Sequence, residues 1–176
     1  MIFLPTDIEG ASIIEIEKKG DDRGFFARTY DIDIFNKNQL DSKIVQCNVN
    51  HTKHKGTLKG LHYQINPYEE TKLIRCTRGS VCSVTVDLRP TSSTYKKWES
   101  IVLSQDEYYW RYIPKGCANG IQTLVDDTEL IYQNSQYYSP EHERGIRWND
   151  PSFKIKWPLP VENISDKDKS WKDFQD

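Results

Sequence analysis

An all-β sandwich or barrel is the fold class this chain predicts, on three observations. Short apolar runs recur along it with turn residues between them, one run alternates strictly, and helical patterns are scarce. The first run is SIIEIE (12–17), followed by DIDIFNKNQL (31–40), which suits one or two turns of helix. IRCTRGSVCSVTVDLRP (74–90) reads as a strand, a glycine-containing turn and a second strand. In that second strand Val81, Ser83, Thr85 and Asp87 face oppositely to Cys82, Val84, Val86 and Leu88. WESIVLS (98–104), YYWRYIP (108–114), GIQTL (120–124) and ELIYQNS (129–135) continue the series, punctuated by RPTSS, PKG and DD. The tail ISDKDKSWKDFQD (164–176) opens like a capped helix, with Ser165 three residues before Asp168.

With 176 residues and no repeat, low-complexity tract or Gly/Ser linker, residues 1–176 are expected to form one domain. Hydrophobic residues at 36% and charged residues at 28% describe a globular chain. No run approaches the roughly 18 apolar residues of a membrane helix. The start, MIFLPTDIEG, lacks a signal peptide's basic and apolar regions, so a cytoplasmic, membrane-free location is expected. Lys and Arg total 24 against 26 Asp and Glu, which leaves no basic footprint for nucleic acid. An anionic ligand must be met locally. Cys47, Cys76, Cys82 and Cys117 form no CxxC pair and are expected to be free, buried thiols. The ten Tyr and five Trp suit core and cross-strand packing, or a pocket whose flat rings stack on a sugar or base.

GTLKGLHYQ (56–64) carries a lone His62. A metal-binding site on such a strand wants a second His two residues on, but position 64 is Gln, and His51, His54 and His142 show no ligand spacing, so no metal is expected.

Six blocks taken in order carry a resemblance: DDRGFFAR (21–28), GTLKGLHYQ (56–64), KLIRCTRGSVCSVTVDLRPTSSTYKKW (72–98), IPKGCANGIQTL (113–124), ELIYQNSQYYSPEHERGIRWNDP (129–151) and IKWPLP (155–160). Together they resemble the deoxysugar-nucleotide epimerases typified by dTDP-4-dehydrorhamnose 3,5-epimerase. The resemblance implies a cupin-type jelly roll (double-stranded β-helix) that uses no metal or cofactor and forms a homodimer by exchanging strands. It also implies a nucleotide-diphosphate sugar as substrate, with epimerisation at C3, C5 or both, beside the C4 ketone of a 4-keto-6-deoxysugar. Such a proton is acidic enough for a side-chain base only if the developing enolate is stabilised, and inversion needs an acid on the other face.

On that resemblance His62 matches the base, and a late Asp, Asp168 with Asp166 in reserve, orients it. Lys72 matches the lysine that stabilises charge on the C4 oxygen, and Tyr132 the acid. Arg23 matches an arginine near the diphosphate, and Lys59 stands where the family usually has Arg. Gln46 and Asn48 supply polar contacts, with a register open by one residue, and Tyr137 matches a tyrosine near the sugar.

Two departures bear on substrate. Asn119 in GCANG replaces the family's usual His, and an amide cannot exchange a proton at neutral pH. Arg28 stands where the thymidine-nucleotide enzymes have Glu, which opens CDP- and GDP-linked sugars beside dTDP. The competing readings are a 3,4-ketoisomerase on the same scaffold and a non-catalytic sugar-nucleotide-binding cupin.

Overall fold

The computed structural model describes residues 1–175. Its elements, in chain order, begin with β1 (Ile2–Pro5), β2 (Ser12–Glu15), the hairpin β3 (Lys19–Asp21) and β4 (Gly24–Phe26), and α1 (Ile32–Lys37). Next come β5 (Gln46–Thr52), β6 (Thr57–Gln64), β7 (Lys72–Arg78), β8 (Ser80–Asp87) and β9 (Trp98–Ser104). The chain closes with β10 (Trp110–Ile113), β11 (Cys117–Thr123), β12 (Thr128–Asn134), β13 (Glu143–Gly145), β14 (Asn163–Ile164) and α2 (Asp166–Lys169).

The strands build two facing sheets. One runs β1-β2-β10-β7-β12-β5 and the other β13-β6-β11-β8-β9, with β14 added in parallel to β6. Every other pairing is antiparallel. Between the sheets lies an apolar core that includes Ile13, Ile74, Leu103, Ile113, Ile121 and Leu130. The back of each sheet is covered as well. Phe35 of α1 packs with Ile14, Leu73, Trp110 and Tyr112 behind the first sheet. Ile146 and Phe153 pack with Leu61, Val84 and Val86 behind the second.

That double covering explains β8, whose residues from Val81 to Asp87 are all buried although they point alternately to opposite sides. This is a jelly roll, the form of β sandwich that the resemblance implies. Among the described residues, helix is confined to α1 and α2. Asp31 caps α1 by accepting from the backbone of Asp33 and Ile34, and Gln39 at φ 59° leaves the helical region, so the expected stretch 31–40 yields helix only over Ile32–Lys37. The tail yields Asp166–Lys169; its residue 176 lies outside the described residues. All four cysteines are free, but Cys47 departs from the expected burial: it lies on the outward face of β5.

Candidate active site

β5, β7 and β12 align in cross-strand rows on the inner face of the first sheet. One row is Gln46, Asn134 and Lys72; the next is Asn48, Tyr132 and Ile74. Because side chains alternate, Gln46, Asn48 and Asn50 share the inner face while Cys47, Val49 and His51 face out. Across from them, His62 on β6 pairs with Asn119 on β11.

Strict alternation would put Lys59 and His62 on opposite faces, three residues apart, yet both line the same hollow. A bulge accounts for this. Between the Asn119–His62 and Ile121–Lys59 pairs, β11 advances two residues and β6 three. The extra residue falls at Gly60, whose φ of 98° and whose approach to the Asn119 carbonyl leave no space for a Cβ.

The hollow has a volume of about 470 Å³, within the range of small-molecule sites. Gln46, Asn48, Lys59, His62, Lys72, Asn119 and Tyr132 all line it. Asp168 stands behind His62: its Oδ1 lies 2.6 Å from Nε2, and its Oδ2 accepts from the Gly60 amide at 3.3 Å. Ser165 makes this possible by capping α2, accepting from the Asp168 amide and turning the Asp168 carboxylate inward, where it is buried. Burial pushes that carboxyl up, but the hydrogen bond and charge of His62 outweigh it and leave Asp168 below the usual carboxylate range. An ionised Asp168 favours the tautomer in which Nε2–H donates to it, which leaves Nδ1, 3.8 Å from Glu143, able to accept a proton. Asp166, the reserve candidate, is exposed and pairs with Lys169.

Lys72 reaches the His62 carbonyl at 3.3 Å and Glu70 at 3.3 Å. Tyr132 is pushed upward by burial and then by the charge of Glu70, so it remains a phenol at neutral pH. Lys59 donates to Asn50 at 2.5 Å, and burial lowers it. Asn119 spends its amide hydrogens on Ser83 Oγ at 3.1 Å and the Val84 carbonyl at 2.7 Å, which leaves its oxygen for a ligand.

Three expected site residues stand elsewhere. Arg23 is exposed at the β3–β4 turn and bound to Asp21 at 2.6 Å. Arg28 pairs with Asp31 at 2.7 Å and lines a separate hollow beside Glu17. Tyr137 is 59% exposed; its neighbour Tyr138 lines the cavity and donates to Glu143 at 2.7 Å. Sequence reasoning missed Glu70, Glu143, Asn50 and Tyr138. Period-two spacing was the available signal for two of them, since Asn50 follows Asn48 by two and Glu70 precedes Lys72 by two.

The jelly roll, whose cavity holds His62 backed by Asp168, an ammonium and a phenol, and the curated relatives together make this a cupin-type epimerase, an enzyme of the isomerase class. The chain belongs to the dTDP-4-dehydrorhamnose 3,5-epimerase family, which matches residues 5–176. It is 40% identical over 171 residues to the dTDP-4-dehydrorhamnose 3,5-epimerase of Sinorhizobium fredii, covering 97% of this chain and 88% of that one. The crystal structure of the Bacillus anthracis enzyme of that name, with TDP and PPi bound, superposes with a TM-score of 0.94 at 38% identity, covering 98% of this chain and 99% of the other. The dTDP-6-deoxy-D-glucose-3,5-epimerase of Legionella pneumophila, in complex with dTDP-4-keto-L-rhamnose, gives 0.90 at 34% identity, covering 98% and 92%. Among the described residues, no helix is long and apolar enough to cross a membrane.

Proposed function

We propose that this chain epimerises a dTDP-linked 4-keto-6-deoxysugar at C3, C5 or both, in the cytoplasm and without a cofactor. The observation that carries the reading is that His62, backed by Asp168, and Tyr132 line one cavity. His62 Nδ1 takes the proton beside the ketone, and Asp168 stabilises the imidazolium that forms. Lys72 supplies positive charge to the enolate oxygen, a contribution of about 3 kcal/mol by analogy with a single oxyanion donor. Tyr132, held as a phenol, returns a proton to the carbon from the other side and so inverts it.

The nucleotide assignment rests on relatives whose names specify dTDP or whose structures hold TDP. Arg28 is the reason to screen CDP- and GDP-linked sugars beside it. Asn119, which offers an amide oxygen and no exchangeable proton, favours action at one carbon and leaves the other slow.

Arg23 and Arg28 join this reading through a homodimer. The β3–β4 hairpin presents exposed Phe25 and Phe26, and strand exchange would carry it to the mouth of a second copy's cavity.

The test is solvent exchange. With dTDP-4-keto-6-deoxyglucose in deuterated water, label is expected at C3, at C5 or at both, with an epimerised product. A 3-keto product would instead establish ketoisomerisation. Tight binding with no label from any nucleotide sugar would leave a binding protein.

A further inference from the structure

Among the charged groups of the cavity, the role of Glu70 is not accounted for by the chemistry above. It precedes β7 by two residues and lines the hollow, with its side chain only 7% exposed. A buried carboxylate is costly unless paired. Its partner is the Lys72 ammonium, at 3.3 Å, which also donates to the backbone carbonyl of His62 at 3.3 Å. Lys72 is thereby tied on one side to the strand that carries the base and on the other to Glu70. Without the carboxylate, a flexible four-carbon stem would have only one weak tether.

We propose that Glu70 is a positioning residue, anchoring the Lys72 ammonium between its own carboxylate and the His62 carbonyl, where the enolate oxygen forms. The proposal rests on the epimerase reading above and deepens it. A negative charge at this place does a second thing: it acts on Tyr132, which shares the cavity, and favours its neutral phenol. The charged and titratable groups that share the hollow with Tyr132 are Lys59, His62 and Tyr63 from β6, Lys72 with Glu70 from β7 and its approach, and Tyr138 and Glu143 beyond β12. Of these it is Glu70 whose charge weighs on the phenol, second only to burial.

Glu70→Gln keeps the shape and removes the charge; Glu70→Asp keeps the charge and shortens the reach. For Glu70→Gln, kcat is expected to fall about tenfold with KM changed by less than about twofold, because the loss concerns charge placed for the transition state. Its alkaline limb in kcat should move to lower pH, because the charge that favours the neutral phenol is gone. Glu70→Asp should lose rate yet keep the parental limb. A readout independent of activity is tyrosinate absorbance: the component lost in Tyr132→Phe should titrate at lower pH in the Glu70→Gln background than in the parent.

A Glu70→Gln enzyme with the parent's kcat and limb overturns the proposal. So does one that loses rate while its Tyr132 titration stays where the parent's is, since that is a merely structural loss. If Glu70→Gln does not fold, the Asp variant decides: the parental rate at the shorter reach overturns the anchoring. If the parent itself incorporates no label from any sugar nucleotide, it is the epimerase reading that fails, and the absorbance titration still reads the Glu70–Tyr132 coupling.

Discussion

Two rings divide the work at the reacting carbon, and removing each should fail in a different way. His62→Ala deletes the base, and turnover should fall at least about a hundredfold with no label entering the substrate. Tyr132→Phe deletes only the acid, so His62 can still remove a proton and hand one back on the same side. That variant should exchange label with retained configuration while product formation falls by about the same factor; NMR of the sugar in deuterated water reads both outcomes. A Tyr132→Phe enzyme that still inverts at the parental rate would remove the phenol from the mechanism. That His62 and Tyr132 share one cavity could be expected from the resemblance because each sits in a block with its own spacing. The turn of helix that carries Asp168 was legible in its own right, since Ser165 three residues earlier is a cap in the sequence and caps α2 in the fold. Tyr137 was one residue from the cavity. Two adjacent tyrosines after a strand end have no alternation to separate them, and only the fold shows that the Tyr137 carbonyl accepts from Gln64 while the Tyr138 ring enters the site.

At the level of elements, β8 and β9 could be read because their apolar or alternating faces are packed on the core. β5 could not. Its inner face carries Gln46, Asn48 and Asn50, polar because it lines the cavity, and asparagine is a poor strand former, so function erased the local signal. β1, β3, β4, β13 and β14 are too short and too exposed to have a pattern. Two elements carry predictions. Gly145 on β13 pairs with His62 and lies under Trp171, where a Cβ would meet the indole at 2.3 Å. Gly145→Ala should therefore lift the segment that follows α2 and loosen Asp168 from His62, lowering kcat about tenfold with a small drop in Tm; parental kcat would show that the tail does not hold the base. At the end of β8, Asp87 is buried and bound by Arg89, Ser92 and Thr94. Burial pushes its carboxyl up, but the hydrogen bonds from those residues outweigh it and hold Asp87 well below the usual range. The folded value is depressed, so this stability is complete above the unfolded value near 3.9 and is lost as pH falls below it. Asp87→Asn should cost about 3 kcal/mol near neutral pH, and the gap in thermal stability from the parent should narrow below about pH 4. A gap that is constant with pH would mean the loss is packing rather than charge.

In the whole molecule, the cavity of one chain gathers the groups proposed for proton transfer, while Arg23, expected near the diphosphate, and Arg28, expected to bear on nucleotide choice, stand apart from it. Arg23 and Arg28 lie on or beside an exposed hairpin and are neutralised by Asp21 and Asp31. If the hairpin serves its own cavity it must swing there and give up those partners. If it serves a second copy, the pairing must be symmetric, with each cavity completed by the other chain. Mixing two inactive variants separates these arrangements. Arg23→Ala and His62→Ala, unfolded together and refolded at equal amounts, should give dimers of which about half are mixed. Under exchange between copies, each mixed dimer has one cavity with an intact His62 facing an intact Arg23, and one cavity lacking both. The mixture should then recover about a quarter of parental activity, as half the dimers carry one working site of two. If each arginine serves its own chain, every cavity in the mixed dimer lacks either the base or the arginine. No gain above the residual activity of Arg23→Ala would then place the diphosphate grip within a single subunit.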